Sequence, residues 1–221
     1  MNINDMNMVI TGANGDLATY LLDYFSKKAA FVSGTVRQLS KINKPKKNAA
    51  IIAMDPLDHY SIDNAITWIQ NECGDIHVWM NIVGGFIIGN HVEDRRDEWV
   101  FMYNTNFMTA LNCCQQILPV MKKNNWGRII NIGSQLAING KSMAGPYCAS
   151  KLALHSLTKI IALENDNHIT CNAILPKIIN TTTNRKNMPD ANVSRWTSVD
   201  IIAQKIEESI SSKQSGLLIK V

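Results

Sequence analysis

The 221-residue chain is 46% hydrophobic and 18% charged, which is typical of a globular domain and excludes disordered, collagen-like and coiled-coil classes. Its formal net charge of +4 is mild, and its basic clusters at Lys44–Lys47 and Lys122–Lys123 fit a solvated loop and a helix end, so we expect no nucleic-acid partner. No apolar run approaches the roughly 20 residues of a membrane span and the amino terminus lacks a secretory pattern, so we expect a cytoplasmic protein without a membrane partner.

Short apolar runs alternate with helical spacings along the chain. The runs predict seven strands, at residues 8–11, 30–36, 49–54, 76–80, 128–132, 169–175 and 217–221. Apolar residues three or four apart predict helices, at residues 17–28, 62–69, 107–121, 149–164 and 202–210. Ser61 is the candidate N-cap of the second helix, and Thr197–Asp200 has the pattern of a helix start for the last one.

Strands that alternate with helices form βαβ units, which build a parallel sheet covered on both faces. We therefore predict an α/β fold, with a doubly wound seven-stranded parallel sheet in one domain over residues 1–221. The polar and basic stretch 38–48 is expected to be a loop or a frayed helix. Residues 177–195 show no period and are rich in Asn and Thr.

The five cysteines are odd in number, and none has a C-x-x-C or Cys/His ligand spacing. This pattern argues against a disulfide framework and against a zinc site, so we expect reduced, mostly buried thiols and no metal. The adjacent pair Cys113 and Cys114 lies within a predicted helix, where core packing explains it better than redox chemistry.

A glycine-rich segment, Thr11–Ala18, lies between the first predicted strand and the first predicted helix. This is the context of a dinucleotide-binding fingerprint, in which Gly12 permits a tight turn and Gly15 lets backbone approach a pyrophosphate. The N-terminus of the helix then offers unpaired N–H groups to the anion. Alone the motif is weak, because a plain strand–turn–helix unit has the same pattern.

A second group of residues can carry acid–base chemistry. Tyr147 and Lys151 are four residues apart and so share one helix face. An ammonium near a phenol lowers the pKa of the phenol, which allows the tyrosine to act as a general acid or base. Ser134 ends the fifth predicted strand, at the edge where open α/β sheets bind ligands. Taken singly, a capping serine, a packed tyrosine and a surface lysine explain these residues better.

Together these residues resemble the short-chain dehydrogenase/reductase family over essentially the whole chain. Further positions share the family's pattern, at Asp55, Asn81–Gly85, Asn106, Pro176 and Thr181. The resemblance implies one Rossmann domain with a short lid near residues 177–197. Residues 182–191, with Arg195 and Trp196, resemble the corresponding segment of a subgroup that includes dihydropteridine-reductase-like members. The sequence departs from the family's pattern at His77, Ile82, Val83 and Lys177.

The resemblance also implies roles for named residues. Tyr147 protonates the nascent alkoxide, and Lys151 binds the nicotinamide ribose and lowers the pKa of the phenol. Ser134 hydrogen-bonds the substrate carbonyl, and Asn106 holds a water in the proton relay. The expected cofactor-binding residues are Gly12, Asn14, Gly15, Asp16, Leu17, Arg37, Asp55, Pro56, Asn81, Val83, Gly84, Tyr147, Lys151 and Pro176.

The implied activity is hydride transfer between a nicotinamide cofactor and a small-molecule substrate, reducing a carbonyl or oxidising an alcohol. The alternative is a non-catalytic dinucleotide sensor or scaffold on the same fold, since fold does not fix function. The intact set of Ser134, Tyr147 and Lys151 argues against that alternative, because a sensor has no need of a tuned phenol.

The choice of cofactor depends on the end of the second predicted strand. An NAD site usually has an acid there that binds the ribose, but counting from Gly12 places Val36 at that position. Arg37 follows and can pair with a 2′-phosphate, with Lys41 one helical turn later. We therefore expect NADP, with NAD less favoured. The alternative is that Arg37 stacks on adenine or points into solvent.

Two long predicted helices carry apolar residues outside their expected core-facing stripes, namely Met108, Leu154 and Ile161. Two such faces suit an isologous four-helix interface, and members of the family commonly form dimers and tetramers. We expect a homotetramer, with a dimer as the alternative. His155 is expected on the helix surface or at this interface, and not in catalysis.

Overall fold

The computed structural model describes residues 1–39, 48–89, 91–93, 95–166 and 168–221, so the predicted basic positions Lys41 and Lys44–Lys47 lie outside the described residues. The strands are β1 (Asn7–Thr11), β2 (Phe31–Val36), β3 (Ala49–Ala53), β4 (Val78–Asn81), β5 (Gly127–Ile132), β6 (Ile169–Leu175) and β7 (Leu218–Lys220). The α-helices are α1 (Asp16–Ser26), α2 (His59–Cys73), α3 (Arg96–Tyr103), α4 (Thr109–Lys123), α5 (Gln135–Asn139), α6 (Gly145–Glu164), α7 (Thr182–Asn187) and α8 (Val199–Ser211). A π-helical turn, Asn104–Met108, joins α3 to α4.

The strands form one parallel sheet in the order β3-β2-β1-β4-β5-β6-β7. The direction of winding reverses at β1, which has β2 on one side and β4 on the other. In open sheets of this kind, ligands bind beyond the carboxyl ends of the strands at such a reversal. The predicted α/β fold with a seven-stranded parallel, doubly wound sheet is confirmed.

Apolar residues cover both faces of the sheet. One buried cluster packs α2, α4 and α6 on one face, around Trp79 and Ile117, and the other packs α1 and α8 on the opposite face, around Phe25 and Ile206. Strands β4, β5 and β6 are buried at every residue. Both sides of a central parallel strand lie beneath helices, which explains their unbroken apolar runs in the sequence.

Cys113 and Cys114 lie in the first of these clusters, and their thiols are reduced. Burial raises the pKa of both thiols, which keeps them protonated and inert.

Among the described residues, no helix combines the length and apolarity that crossing a membrane requires.

The N-cap predicted for α2 is wrong. Asp58 caps this helix by accepting the Tyr60 N–H at 3.0 Å, while the Ser61 hydroxyl accepts a backbone N–H from the loop before it. The helix begins at His59, so Ser61 lies inside its first turn and Asp58 occupies the cap position. The predicted start of α8 within Thr197–Asp200 is confirmed, with Ser198 as the cap.

The buried and exposed faces of α6 are largely the reverse of those predicted, although Leu157 is buried as expected. Leu154 and Ile161, expected outside the core, are 2% and 3% exposed, whereas Ile160, expected toward the core, is 46% exposed. Both faces are apolar, so hydropathy does not choose between them. The inward face also carries Lys151 and Thr158, whose side chains hydrogen-bond residues of β5 and so hold that face against the sheet.

Candidate active site

The glycine-rich turn connects β1 to α1 at the reversal point of the sheet. Gly12 has a φ of +70°, in the left-handed region that favours glycine, and a Cβ there would lie 3.0 Å from Val83 Cγ2. Gly15 is the N-cap residue of α1 and has no side chain with which to cap the backbone N–H groups of the first turn. The turn therefore packs against the loop after β4 and leaves helix N–H groups open to an anion.

The first turn of α1 also contacts the segment predicted as a lid. The Asp16 carboxylate accepts the N–H of Thr183 in α7 at 2.8 Å, and this hydrogen bond is the main reason that the pKa of Asp16 is lowered. Asn14 is exposed beside the turn, whereas Leu17 is packed in the core. A contact from Leu17 to a phosphate is therefore restricted to its backbone.

The expected adenosine end of the site lies along the ends of β2 and β3. Val36 is buried at the end of β2, and Arg37 follows it with an exposed side chain. Asp55 is half-buried after β3, where its carboxylate accepts the backbone N–H two residues on, and Pro56 is buried beside it. Adjacent parallel strands β1, β2 and β3 bring these residues to the same edge as Gly12.

The loop after β4 begins at Asn81, whose side chain is buried in the core. Its Oδ1 accepts from Trp79 Nε1 and its Nδ2 donates to Asn131 Oδ1, both at 2.9 Å. A cofactor contact at Asn81 therefore remains a prediction that only its backbone can fulfil. The N–H of Val83 donates to Thr11 Oγ1 at 3.3 Å, which ties this loop to the end of β1.

Gly84 lies where two of the predicted catalytic side chains meet. A Cβ at Gly84 would lie 3.0 Å from Asn106 Oδ1 and 3.3 Å from Lys151 Nζ. Asn106 occupies the π-helical turn and is buried; its Oδ1 accepts the Gly85 N–H at 2.8 Å, and its Nδ2 donates to Ser150 Oγ at 3.0 Å. Asn106 thus fastens the loop after β4 to α6, and π-helical turns are frequent at functional sites.

Lys151 and Tyr147 share a face of α6, as predicted, but their electrostatics differ from the prediction. Lys151 Nζ donates to Ile132 O at 2.7 Å, and burial lowers the pKa of Lys151 to about 8. Burial raises the pKa of Tyr147, and the nearby Ser134 side chain lowers it by less. The expected lowering of the phenol pKa by Lys151 is therefore wrong for the chain itself, because desolvation outweighs the other effects on the phenol.

Ser134 and Pro176 follow the neighbouring strands β5 and β6. The Ser134 N–H donates to His155 Nε2 at 3.2 Å, and Pro176 O accepts the N–H of Gln135 at 3.1 Å. His155 is only 3% exposed, so the expectation that it lies on the helix surface is wrong. Its spacing of four residues from Lys151, itself four from Tyr147, is the sequence signal that places it on the same inward face.

The sequence prediction also missed Phe86. Its ring packs edge-on against the ring of Tyr147, with centroids 4.7 Å apart, and its side chain is still half-exposed. Phe86 follows Gly84 and Gly85 in the loop after β4, so its position two residues beyond the glycine of the motif was the available signal. The Phe86 ring therefore provides an apolar surface beside the phenol.

Comparison with known proteins identifies the family. Residues 6–192 match the family model described as short chain dehydrogenase, so the chain belongs to the short-chain dehydrogenase/reductase family, whose members are oxidoreductases. The chain is 34% identical over 179 residues to the 3-ketodihydrosphingosine reductase of Bacteroides thetaiotaomicron, covering 79% of this chain and 64% of that relative. It is 28% identical over 199 residues to the 3-oxoacyl-(acyl-carrier-protein) reductase FabG of Pseudomonas aeruginosa, covering 86% of this chain and 80% of that relative.

A solved structure described as ElxO with NADP bound has the same fold. It aligns with a TM-score of 0.90 at 22% sequence identity, covering 98% of this chain and 97% of that chain. At this identity the likeness establishes the fold.

The residues of the site fit a nicotinamide dinucleotide. A Cβ at Gly12 would crowd Val83 and one at Gly84 would crowd Asn106, so these glycines let the loop after β4 pack closely beside the glycine-rich turn and the side chains of the site. The open N-terminus of α1 suits a pyrophosphate, and the buried ammonium of Lys151 suits a hydroxyl-bearing ribose.

Proposed function

We propose that the protein reduces a carbonyl compound, or oxidises the corresponding alcohol, with a nicotinamide dinucleotide as the hydride carrier. The observation that carries the proposal is the convergence of Ser134, Tyr147 and Lys151 at one sheet edge, with Ser134 near enough to the Tyr147 phenol to lower its pKa. When bound, the cofactor supplies the hydride chemistry. The chain's own residues bind and orient the reactants and deliver the proton.

Tyr147 is the proposed proton donor. Because burial raises its pKa, the phenol keeps its proton at neutral pH and can give it to an alkoxide as that charge develops. The Ser134 hydroxyl, which lies near the phenol, would hold the substrate oxygen beside it. This arrangement favours reduction at neutral pH, where the acid form is the populated one.

Lys151 and Asn106 are the residues proposed to hold the cofactor and a water of the proton relay. Lys151 is buried and would hold the ribose of the cofactor while its positive charge stabilises the developing alkoxide. Both polar ends of the Asn106 side chain are already bonded, so the proposed water of the proton relay would be held by its backbone carbonyl. Gly12, Gly15 and the N-terminus of α1 would hold the pyrophosphate.

NADP is the proposed cofactor. Val36 ends β2 without a carboxylate, so nothing at that position repels a 2′-phosphate, and the exposed Arg37 can pair with one through its planar fork. The structural neighbour described as ElxO with NADP bound supports a site of this type on the same fold.

The substrate class follows from the relatives and from Phe86. The two curated relatives are named as reductases of a 3-keto and a 3-oxoacyl compound, and an apolar ring beside Tyr147 suits the chain of such a substrate. We further propose that the chain is one domain with a lid near residues 177–197, is cytoplasmic, and forms a homo-oligomer through the partly exposed apolar residues of α4 and the exposed apolar residues of α6.

The decisive experiment replaces Tyr147 by Phe. Turnover of NADPH with a panel of ketones, 3-oxoacyl thioesters and quinonoid pterins should fall at least about 10²-fold, the scale of a lost general acid, while cofactor affinity stays nearly unchanged. Tyr60→Phe is the matched control, because that phenol is 83% exposed on α2. Unchanged turnover in Tyr147→Phe would remove the catalytic assignment and favour the sensor alternative.

A further inference from the structure

His155 is a buried polar residue that the proposed chemistry does not use. It lies on α6 one turn after Lys151, and its Nε2 accepts the Ser134 N–H at 3.2 Å. A Cβ on Gly133 would lie 2.4 Å from the same nitrogen, so glycine at this position leaves the space that the imidazole occupies. The imidazole therefore contacts the backbone on both sides of the 133–134 peptide bond.

The N–H groups around Ser134 have different partners. The N–H of Gly133 donates to Ile174 O at 2.8 Å, and that of Gln135 donates to Pro176 O at 3.1 Å, both on the side of β6. The N–H of Ser134 faces α6 instead, and His155 is its partner. Without that acceptor, the buried backbone of Ser134 would lose its hydrogen bond and the contact that fixes its orientation.

The hydrogen bond also determines the protonation of the imidazole. An Nε2 that accepts carries no proton, so the neutral ring carries its proton on Nδ1. That Nδ1 is buried and has no hydrogen-bond partner within the described residues. An apolar side chain would avoid the cost of this unpaired donor, so packing alone does not account for a histidine here.

Its surroundings keep the ring neutral. Burial, with the positive charges of Lys151 and Lys159 on the same helix, lowers the pKa of His155 to about 4. The lone pair on Nε2 is therefore available to Ser134 across the neutral pH range.

We propose that His155 is a positioning residue, which holds the backbone of Ser134 so that its hydroxyl faces Tyr147. The inference rests on the proposed function, since it concerns the orientation of the Ser134 side chain in that site. The geometry behind it is the hydrogen bond to the Ser134 N–H and the space opened by Gly133.

The test compares His155→Gln with His155→Met. The two replacement side chains have similar length, but only the glutamine amide oxygen can take the place of Nε2 as an acceptor. His155→Met should lower kcat by about 10²-fold, as expected for a misplaced catalytic group, with the substrate KM and the NADPH dissociation constant changed little. His155→Gln should recover most of that loss. Equal kcat values for the Met variant and the wild-type protein would overturn the inference.

A readout that needs no activity complements the kinetics. Nitrogen-15 NMR of the wild-type protein should show His155 as the Nδ1-protonated tautomer throughout neutral pH, and exchange of the Ser134 amide hydrogen should accelerate in His155→Met but not in His155→Gln. An Nε2-protonated ring, or a Ser134 amide equally protected in the Met variant, would overturn the inference even if that variant folds poorly. Unchanged turnover in Tyr147→Phe would contradict the proposed function and leave the NMR result intact, so the two failures are distinguishable.

Discussion

Replacing Lys151 by Met is expected to change how the stability of the protein depends on pH. Lys151 is buried, and burial lowers its pKa from the ordinary 10.5 to about 8. The gap between these values, at about 1.4 kcal/mol for each pH unit, corresponds to about 3 kcal/mol by which folding disfavours the charged lysine below pH 8. The sign follows from proton binding: between pH 8 and 10.5 the unfolded chain holds the proton that the folded chain has lost, so this contribution makes stability rise with pH.

The variant lacks the titrating group, so the free energy of unfolding of the wild-type protein relative to Lys151→Met should rise by about 3 kcal/mol between pH 7 and 10.5. Loss of the hydrogen bond to Ile132 O shifts the variant by about 1–3 kcal/mol at every pH and leaves that slope unchanged. Denaturant unfolding at fixed protein concentration measures both quantities. Lys159→Met removes an exposed lysine from the same helix as a control. A difference between wild type and Lys151→Met that does not vary with pH would refute the reasoning.

Two further predictions concern the cofactor and the assembly. Arg37→Ala should weaken NADPH binding by about 1.5–3 kcal/mol in a fluorescence titration, the range for a hydrogen bond to a charged group, and leave NADH binding almost unchanged; equal losses for both cofactors would contradict the proposed 2′-phosphate contact. Ile160→Asp places a charge in an exposed apolar hollow lined by Phe107 and Leu157, and should reduce the mass found by light scattering from a tetramer or dimer toward a monomer, whereas Tyr60→Asp on exposed α2 should not. A wild-type protein that is monomeric at micromolar concentration would exclude the assembly.

The alternation of elements was predictable because the buried strands of a parallel sheet leave short apolar runs in the sequence. The helices α5 and α7 were not predicted, since each is six residues or shorter and shows too little of a helical period. The cap of α2 was misassigned because Ser61 and Asp58 are both suitable residues, and only the backbone shows which N–H groups are free.

The candidate site, like the fold, could be predicted from the sequence only in part. Ser134, Tyr147, Lys151 and Asn106 were selected from their motifs, and the structure brings them close together around the end of β5 and the loop after β4, while their catalytic roles stay a prediction. The pKa of Tyr147 could not be predicted from the spacing, because burial decides its direction and burial depends on residues far away in sequence. The hydrogen bond of the Asn81 side chain could likewise not be predicted, since its partner Asn131 lies on another strand.

Helix α6 shows why hydropathy alone did not predict which of its faces is buried. Its inward face carries polar residues four apart, Tyr147, Lys151 and His155, and each of them has a partner or neighbour at the end of β5. Its outward face carries the exposed apolar residues Leu152, Ile160 and Leu163. Burying polar side chains costs free energy, which a protein without a functional site has no need to lose. A contiguous exposed apolar surface is typical of a site that another molecule covers. The inverted face pattern is therefore what a helix needs if it supports a reaction on one side and contacts a second copy of the chain on the other.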